Sequence, residues 1–494
     1  MWADALNYLY IFLVIVISIY GMHALIISTL YLLRFRRCPP QPEAPKEWPL
    51  VAVQLPFYNE LYVAERMIDT VCAFHYPKDR LIIQVLDDST DKTIELVQAR
   101  VDYYRNQGYQ IEVIRRPNRE GYKAGALAEG LAATCAEFVA VFDADFLPQP
   151  DFLQKVIPYF FSDPRLGMVQ ARWGHLNRDS NLLTRTQALF LDGHQVVEQV
   201  ARSRSNLLCN FNGSGGVWRA ECIRDSGGWQ WDTLSEDIDL SFRAQLKGWR
   251  LTFLPDLIVP AEIPPTMPIF QRQQYRWTFG YIQVFRKLVV KLWKTPGLTL
   301  AQRIGGTFQL STNLANLAAL TIFLLSVPLA LLHPRQPSSL ELISMASCGP
   351  TILFAISQIF GYKDGFVRTL DRLIHLPVLV LLGIGLTISN SWAVLGALSG
   401  RKLAFIRTPK FSLKGRKNGW HGAQYTMTIQ PEVWFELIMS IYCAVGLSLA
   451  LRGAPEMIPL TALGMLSYGY VGCAGLVETN RPKKKAQKVE VEVA

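Results

Sequence analysis

Three groups of carboxylates in this 494-residue chain are placed as a phosphate-handling site would need them. Asp143 and Asp145 stand two residues apart after an apolar run, so both side chains point to one face of an extended chain. That spacing suits a divalent cation that carries a diphosphate, although a capped strand-to-helix turn alone would look the same. Asp87, Asp88 and Asp237 also follow or begin predicted elements. Like charges that converge on one crevice repel unless they are neutralised, so the combination predicts either a bound metal ion or a shared proton at this crevice.

A second motif, Gln273 to Trp277, lies within an aromatic and basic segment at 269–293. Aromatic and basic side chains on one helix suit the boundary between bilayer and water, so an anchoring helix is the simplest interpretation of this segment alone. The segment leads directly into the first of several membrane-length apolar runs. Together with the acidic triplet Ser235-Glu236-Asp237 before it, the motif suggests chemistry at a membrane surface.

The composition indicates a soluble domain within a membrane protein. Hydrophobic residues make up 50% of the chain, which is high for a soluble protein, whereas 18% charged residues is high for a bundle of spans. The net charge of +10 comes from Lys and Arg that crowd beside apolar runs, as cytoplasmic flanks do, so nucleic acid is not an expected partner. The chain has no P-loop and no strand-linked Gly-x-Gly-x-x-Gly, which argues against a P-loop ATPase and a Rossmann dehydrogenase.

The stretch 50–265 alternates short apolar runs with longer amphipathic ones. This alternation predicts an α/β domain with a doubly wound, largely parallel sheet. Ligands bind such sheets in the crevice beyond the carboxyl ends of the strands, which is where the carboxylates follow. The predicted strands are 51–55, 81–86, 111–114 and 138–142, and the predicted helices are 59–74, 92–107 and 121–134.

Membrane-length runs flank this domain. The run 8–33 precedes Arg34-Phe35-Arg36-Arg37, which predicts a span with its amino terminus outside and the next domain in the cytoplasm. Basic loops lie on both sides of 373–398, so we expect this stretch to be re-entrant or interfacial, with a break at Asn390-Ser391. Further spans are predicted at 310–332, 342–360, 433–451 and 458–476. The predicted organisation is an amino-terminal span (1–37), a Pro-rich linker (38–48), the α/β domain (49–268), interfacial helices (269–300), membrane or interfacial helices (301–399), a cytoplasmic segment (400–428), two spans (429–478) and a basic tail (479–494).

Several motifs occur in one order along the chain, namely Leu86 to Asp91, Lys123-Ala124-Gly125, Phe142 to Pro148, Phe211 to Arg219, Ser235-Glu236-Asp237 and Gln273-x-x-Arg276-Trp277. With them the chain resembles the processive, membrane-embedded family 2 glycosyltransferases of the cellulose synthase superfamily, and most closely the cellulose synthase-like mannan and glucan synthases. The resemblance covers about residues 48–300 and resumes at 405–410, which is similar to that family's gating loop. This chain has Ser235 where Thr is usual, and Arg407-Thr408 where Val-Thr is usual.

The resemblance implies a glycosyltransferase-A-type cytoplasmic domain inserted between transmembrane helices, and it gives each motif a role. Asp237 would be the general base of an inverting transfer. Asp143 and Asp145 would hold Mn²⁺ or Mg²⁺. The other implied roles are nucleotide or donor binding by Asp87, Asp88, Lys123, Gln273 and Arg276, acceptor binding by Trp277, Phe211, Asn212, Gly213 and Ser214, and a gating loop with Arg407, Thr408 and Lys410.

The implied function is a processive hexosyltransferase that moves glucose or mannose from UDP-glucose or GDP-mannose to a growing β-linked polysaccharide and translocates the polymer. Its partners would be the nucleotide sugar, a glycan or lipid acceptor and membrane lipids, in a bacterial plasma membrane or a Golgi-type membrane. The alternative is a glycolipid synthase that adds a single hexose to diacylglycerol, ceramide or a polyprenyl carrier. A receptor or transporter that merely retains the fold would be expected to lack the base, and Asp237 is present.

Overall fold

A seven-stranded mixed sheet forms the centre of the α/β domain, in the strand order β3-β2-β1-β4-β6-β5-β7. β6 runs antiparallel to both of its neighbours, and the other adjacent pairs are parallel. The computed structural model of the chain describes residues 2–37, 41–332, 338–401, 403–405, 407–408, 410 and 431–479. The strands are β1 Val51–Phe57, β2 Leu81–Asp87, β3 Gln110–Ile114, β4 Phe138–Val141, β5 Leu166–His175, β6 Gly216–Arg219 and β7 Arg250–Ala261.

The four predicted strands are present as β1 to β4 and form the parallel half of the sheet. Successive side chains alternate between two cores, because Val53 and Ala140 pack on one face while Val139 and Val141 pack on the other. Burial on both faces explains the near-continuous apolar runs of β1, β2 and β4, whereas the edge strand β3 also has exposed residues. β5, β6 and β7 were not among the predicted strands, and they extend the sheet on its other side.

Helices cover both faces of the sheet and then form the membrane region. The three predicted helices between the strands are present as α2, α3 and α4, each shorter than predicted. The helices are α1 Trp2–Arg34, α2 Ala64–Cys72, α3 Thr93–Arg105, α4 Tyr122–Ala132, α5 Phe152–Val156, α6 Tyr159–Ser162, α7 Leu182–Asp192, α8 Gln199–Arg204, α9 Ala220–Asp225, α10 Glu236–Leu246, α11 Met267–Lys294, α12 Leu300–Ser311, α13 Ala315–Leu332, α14 Ser338–Ser344, α15 Gly349–Phe360, α16 Phe366–Leu373, α17 Leu376–Gly385, α18 Thr387–Leu398, α19 Glu432–Gly453 and α20 Ile458–Thr479.

Five helical stretches in the described part of the chain are long and apolar enough to cross a membrane, and each contains one of the predicted spans. Residues 38–40, 402, 406, 409, 411–430 and 480–494 lie outside the described residues, so the predicted linker, cytoplasmic segment and tail are described only in part. The stretches are Trp2–Arg34, Leu300–Leu332, Leu340–Phe360, Glu432–Gly453 and Pro455–Thr479.

A bent helix pair occupies the stretch that was predicted to be re-entrant or interfacial. Phe366–Gly385 and Thr387–Leu398 meet at 42°, the geometry of a broken span or a re-entrant loop. The predicted break at Asn390-Ser391 is wrong, because both residues are buried inside α18. The helix breaks at Leu386 instead, where the Thr387 hydroxyl donates a hydrogen bond of 2.7 Å to the Ile384 carbonyl. Such local bonds from hydroxyl side chains compete with the helical ladder and bend helices.

A buried polar cluster joins the α/β domain to α15. Asp192, at the end of α7, accepts hydrogen bonds from the Tyr362 hydroxyl (2.7 Å), Gln358 Nε2 (3.2 Å) and Arg178 Nη1 (3.4 Å). His175 Nε2 lies 3.1 Å from the same carboxylate. Burial alone would raise the pKa of Asp192, but His175 and the neighbouring arginines outweigh burial and hold the pKa below its ordinary value. The carboxylate is therefore the anionic centre of a mostly cationic cluster.

The Asp192→Ala variant is expected to lower the free energy of unfolding by about 3–5 kcal/mol, because it leaves the buried Arg172 and the partly buried Arg178 without their counter-charge. Thermal unfolding of the purified protein in detergent should show the lowered midpoint. Asp179→Ala is the matched control, since Asp179 is 75% exposed and pairs only at the surface with Arg185. An unchanged midpoint for Asp192→Ala would contradict the prediction.

Candidate active site

The predicted site residues of the sheet project from the carboxyl ends of its parallel strands. Asp88 directly follows β2, and Asp143 and Asp145 follow β4. A cavity of about 570 Å³ opens at this edge, within the range of small-molecule sites. The predicted residues on its wall are Asp88, Lys123, Asp143, Asp145, Asn212, Gly213, Asp237, Gln273, Arg276, Trp277, Arg407, Thr408 and Lys410.

Asp87, Phe211 and Ser214 lie behind this wall. Phe211 is fully buried and packs edge-on against Trp218 at 5.7 Å, so its position does not support the predicted acceptor contact. Ser214 is also fully buried, and its hydroxyl accepts a hydrogen bond of 2.9 Å from the Asp143 amide. Ser214 therefore supports the carboxylate pair and not an acceptor.

Two arginines after β3 hold Asp87 and Asp88. Arg115 Nε donates to Asp87 at 3.3 Å, and Arg116 contacts both carboxylate oxygens of Asp88, with Nε at 3.1 Å from one of them. A guanidinium that grips a carboxylate with two nitrogens fixes its orientation. Neither arginine was predicted from the sequence, although both stand directly after a parallel strand, which was the available signal.

Each carboxylate of the Asp143 and Asp145 pair lies against one lysine. Lys123 Nζ contacts Asp143 Oδ1, and Lys410 Nζ is 2.8 Å from Asp145 Oδ2. Asp145 Oδ1 is buried and has no hydrogen-bond partner among the described residues. An orphaned carboxylate oxygen beside a second carboxylate fits an oxygen-preferring cation such as Mn²⁺ or Mg²⁺. The described residues bring no third His, Cys, Asp or Glu to this position, so the substrate and water would complete the shell.

Asp237 stands in the first turn of α10, on the same cavity. Its Oδ1 accepts a hydrogen bond of 2.9 Å from the Ile238 amide, and its Oδ2 faces Gly213. Gly213 has a φ of +84°, and a β-carbon there would approach that oxygen to 3.0 Å, so the close fit favours glycine. Burial raises the pKa of Asp237, and the adjacent Glu236 carboxylate raises it further. A carboxylate with raised proton affinity suits general-base catalysis.

One long helix supplies the facing wall. The spacing in α11 brings Gln273, Arg276 and Trp277 to neighbouring positions on one face, and all three line the cavity. Arg276 Nε is buried and unpartnered within the described residues, while its guanidinium lies 4.8 Å from the Phe405 ring. A partly unpaired arginine in a cavity can bind phosphate oxygens, and a partly exposed tryptophan can stack on a sugar ring.

Phe405, Arg407, Thr408 and Lys410 also line the cavity, and we call the described part of 403–410 the covering segment. Arg407 Nη1 is 3.1 Å from Glu60 Oε2, and its other terminal nitrogen contacts the Asn59 carbonyl. The two side chains of the ion pair are only 13% and 12% exposed. Burial raises the pKa of Glu60 to about 7, against the opposing effect of Arg407. The arginine that departs from the usual Val of this motif therefore binds the loop after β1.

The Arg407→Val variant is expected to loosen the covering segment, because a buried hydrogen bond between charged groups is worth about 1.5–3 kcal/mol. Hydrogen–deuterium exchange of a peptide that spans 403–410 should be about tenfold faster or more. Arg401→Val is a control, since Arg401 is exposed and does not line this cavity. Equal exchange in both variants would mean that the ion pair does not hold the segment.

Comparisons with known proteins agree with this geometry. Residues 49–280 match the family described as Glycosyltransferase like family 2. The chain is 39% identical to glucomannan 4-beta-mannosyltransferase 1 of Oryza sativa subsp. japonica, over 63% of this chain and 63% of that protein. It is 40% identical to glucomannan 4-beta-mannosyltransferase 2 of Arabidopsis thaliana, over 58% of this chain and 55% of that protein. The matched parts span less than two thirds of these relatives.

Among solved structures, the chain is similar to a mannosyltransferase from Pyrobaculum calidifontis in complex with GDP-Man and Mn²⁺. The TM-score is 0.53 at 21% identity, with 77% of this chain and 99% of that chain covered. At this identity the similarity concerns the fold, and it confirms the predicted glycosyltransferase-A-type α/β domain. Residues 49–280 therefore form a glycosyltransferase domain of family 2, as the sequence motifs predicted.

Proposed function

We propose that the chain is a membrane-bound, inverting hexosyltransferase that transfers mannose from GDP-mannose to the end of a β-linked glycan. The observation that carries the proposal is the placement of Asp237, the Asp143 and Asp145 pair, and Trp277 around one cavity. The relatives named above as mannosyltransferases favour mannose as the sugar, and the structural neighbour's GDP-Man and Mn²⁺ favour that donor and metal.

In the proposed reaction, an acceptor hydroxyl attacks the anomeric carbon of the donor as Asp237 takes its proton. A glycosidic C–O bond forms on one face of the sugar, and the bond to the diphosphate oxygen breaks on the other, so the configuration inverts. Lys123 and Arg276 stabilise the negative charge of the departing diphosphate. Asp143 and Asp145 would hold Mn²⁺ or Mg²⁺, which supplies further positive charge to the leaving group when bound.

The shape of the cavity supports a polymer as the product. The cavity wall also includes Tyr20 of α1 and Leu353 of α15, which belong to helical stretches that are long and apolar enough to cross a membrane. A glycan that grows from the acceptor position extends along this wall, so we propose that synthesis and translocation are coupled. The basic run after α1 favours a cytoplasmic α/β domain, on the side where nucleotide sugars are supplied.

Purified chain in lipid nanodiscs, with Mn²⁺, radiolabelled GDP-mannose and β-1,4-linked mannooligosaccharides, is expected to form labelled polymer that an endo-β-1,4-mannanase degrades. Parallel reactions with UDP-glucose test whether glucose is a second donor. Label found only in a chloroform-soluble product would replace the proposal with a glycolipid synthase. Absence of sugar transfer from either donor would overturn it.

A further inference from the structure

A π-helical segment, Gly193–Glu198, joins α7 to α8 and borders the cavity. π-helical turns are rare and occur frequently at functional sites. Gly193 lies so close to α15 that a β-carbon would stand 2.4 Å from the Phe354 ring, so the segment is pressed between α15 and the site. His194 and Glu198 of this segment both line the cavity, yet neither belongs to a motif of the predicted site.

His194 is held between two hydrogen-bond acceptors. Its Nδ1 is 2.9 Å from Glu198 Oε2, and its Nε2 is 3.1 Å from Asn212 Oδ1. Burial alone would raise the pKa of Glu198, but the hydrogen bond from His194 and the nearby positive charges, Arg202 among them, together outweigh burial, so the pKa is lowered and the group is a carboxylate. An imidazole N–H at either position donates to the atom it faces, because a carboxylate and an amide oxygen only accept.

Asn212 has its amide orientation fixed by this network. Its Oδ1 accepts from Asn210 Nδ2 (2.7 Å), His194 Nε2 (3.1 Å) and Gln199 Nε2 (3.5 Å). Asn210 Nδ2 and Gln199 Nε2 are amide donors, and together they assign the atom that they contact as the oxygen. The Nδ2 of Asn212 is buried and has no partner in the part of the chain that the structure describes. Asn212 thus keeps two unused N–H donors next to Gly213, the residue that abuts Asp237.

Resting on the proposed function, we infer that His194 is a positioning residue, which with Glu198 turns the Asn212 amide so that its N–H groups bind an oxygen of the acceptor sugar. A buried donor without a partner is costly, and a sugar hydroxyl or ring oxygen satisfies it, whereas a hydrocarbon chain does not. The acceptor class that fits this wall is therefore a glycan.

The part of the cavity wall that α1 forms also contains a polar side chain. His23 of α1 lines the same cavity, and its ring stacks on Phe308 with centroids 4.8 Å apart. Its Nε2 is buried and, like the Asn212 nitrogen, lacks a hydrogen-bond partner within the described ranges. Polar residues in a membrane-region helix generally mark a substrate path. A second sugar of the glycan accounts for this unused nitrogen better than a lipid tail does.

The test compares initial rates with β-1,4-mannotriose as acceptor. His194→Phe keeps a planar ring but cannot donate, so it is expected to raise the acceptor KM about tenfold without changing the donor KM or the rate of donor hydrolysis. Asn212→Asp, which replaces the N–H groups with an oxygen, should raise the acceptor KM at least as much. The double variant should be no worse than the worse single variant, because both changes remove one interaction.

His194→Gln can still donate to Asn212 and should recover part of the acceptor affinity, which a purely structural role would not explain. If His194→Phe fails to fold, the acceptor KM of His194→Gln is the measurement that tests the positioning role. His75→Gln is the control, since His75 is exposed and away from the cavity. If the wild type transfers mannose and His194→Phe keeps its acceptor KM, or loses donor hydrolysis equally, the positioning role is overturned. If the wild type transfers nothing, the proposed function falls and the inference falls with it.

Discussion

The Asp237→Asn variant is expected to lose about 10²–10⁴-fold in kcat, the usual contribution of a general base, while donor binding is kept. Asparagine has the same size and can keep the hydrogen bond from the Ile238 amide, but it cannot take a proton from the acceptor. Transfer kinetics and calorimetric titration with GDP-mannose measure the two effects. Asp232→Asn is the control, because Asp232 is exposed and pairs with Lys287 outside the cavity. Normal turnover by Asp237→Asn would remove the assignment of the base.

The pH dependence of the wild type follows from the same residue. Burial raises the pKa of Asp237 above the ordinary value of 3.8, and Glu236 adds to this. A base acts only when it is ionised, so kcat should reach a plateau above the raised pKa and fall tenfold per pH unit below it. A rate that stays constant down to the ordinary carboxylate range, or that rises toward acid, would contradict this interpretation.

The Asp145→Asn variant is expected to lose about 10²–10³-fold in kcat/KM, because a metal ion contributes several kcal/mol to charge stabilisation. Asp145 presents one oxygen to Lys410 and one orphaned oxygen. Asparagine has only one side-chain oxygen, so it can place an oxygen at only one of these two positions. The concentration of Mn²⁺ that gives half-maximal activity should also increase. Asp151→Asn, which removes only a partly exposed pair with Lys155, should change neither quantity. An unchanged Mn²⁺ requirement for Asp145→Asn would exclude it as a ligand.

The part of the fold that could be predicted is the part whose signal is local. β1, β2 and β4 are buried on both faces, so burial appears in the sequence as apolar runs. β6 is only four residues long, and β7 contains Pro255 and Pro260, with Pro255 in a register shift that leaves three residues unpaired. Proline in a bulge is physically acceptable but interrupts the pattern on which strand prediction depends.

The site residues also divide into those that a local motif predicts and those that only the folded structure brings to the site. Spacing and motif brought Asp143, Asp145 and Asp237 together correctly as residues of one cavity. The contact of Lys410 with Asp145 joins residues that are far apart in sequence, and no local pattern indicates it. Phe211 was assigned to the acceptor with its neighbour Asn212, but adjacent side chains in an extended segment point to opposite sides, and Phe211 takes the core side.

The Asp192 cluster also determines how this protein can be divided into fragments. If residues 49–268 were expressed alone, the fragment would lack Gln358 and Tyr362, which donate hydrogen bonds to the Asp192 carboxylate. The fragment would also expose the apolar side chains of Val196, Val197 and Val200, which pack against α1 and α15. In the isolated fragment, both the Asp192 cluster and this apolar surface would be exposed to water. An exposed apolar surface favours aggregation. We therefore expect residues 49–268 to be unstable without the helices that pack against them, and an exchange of this segment between related proteins to require those helices as well.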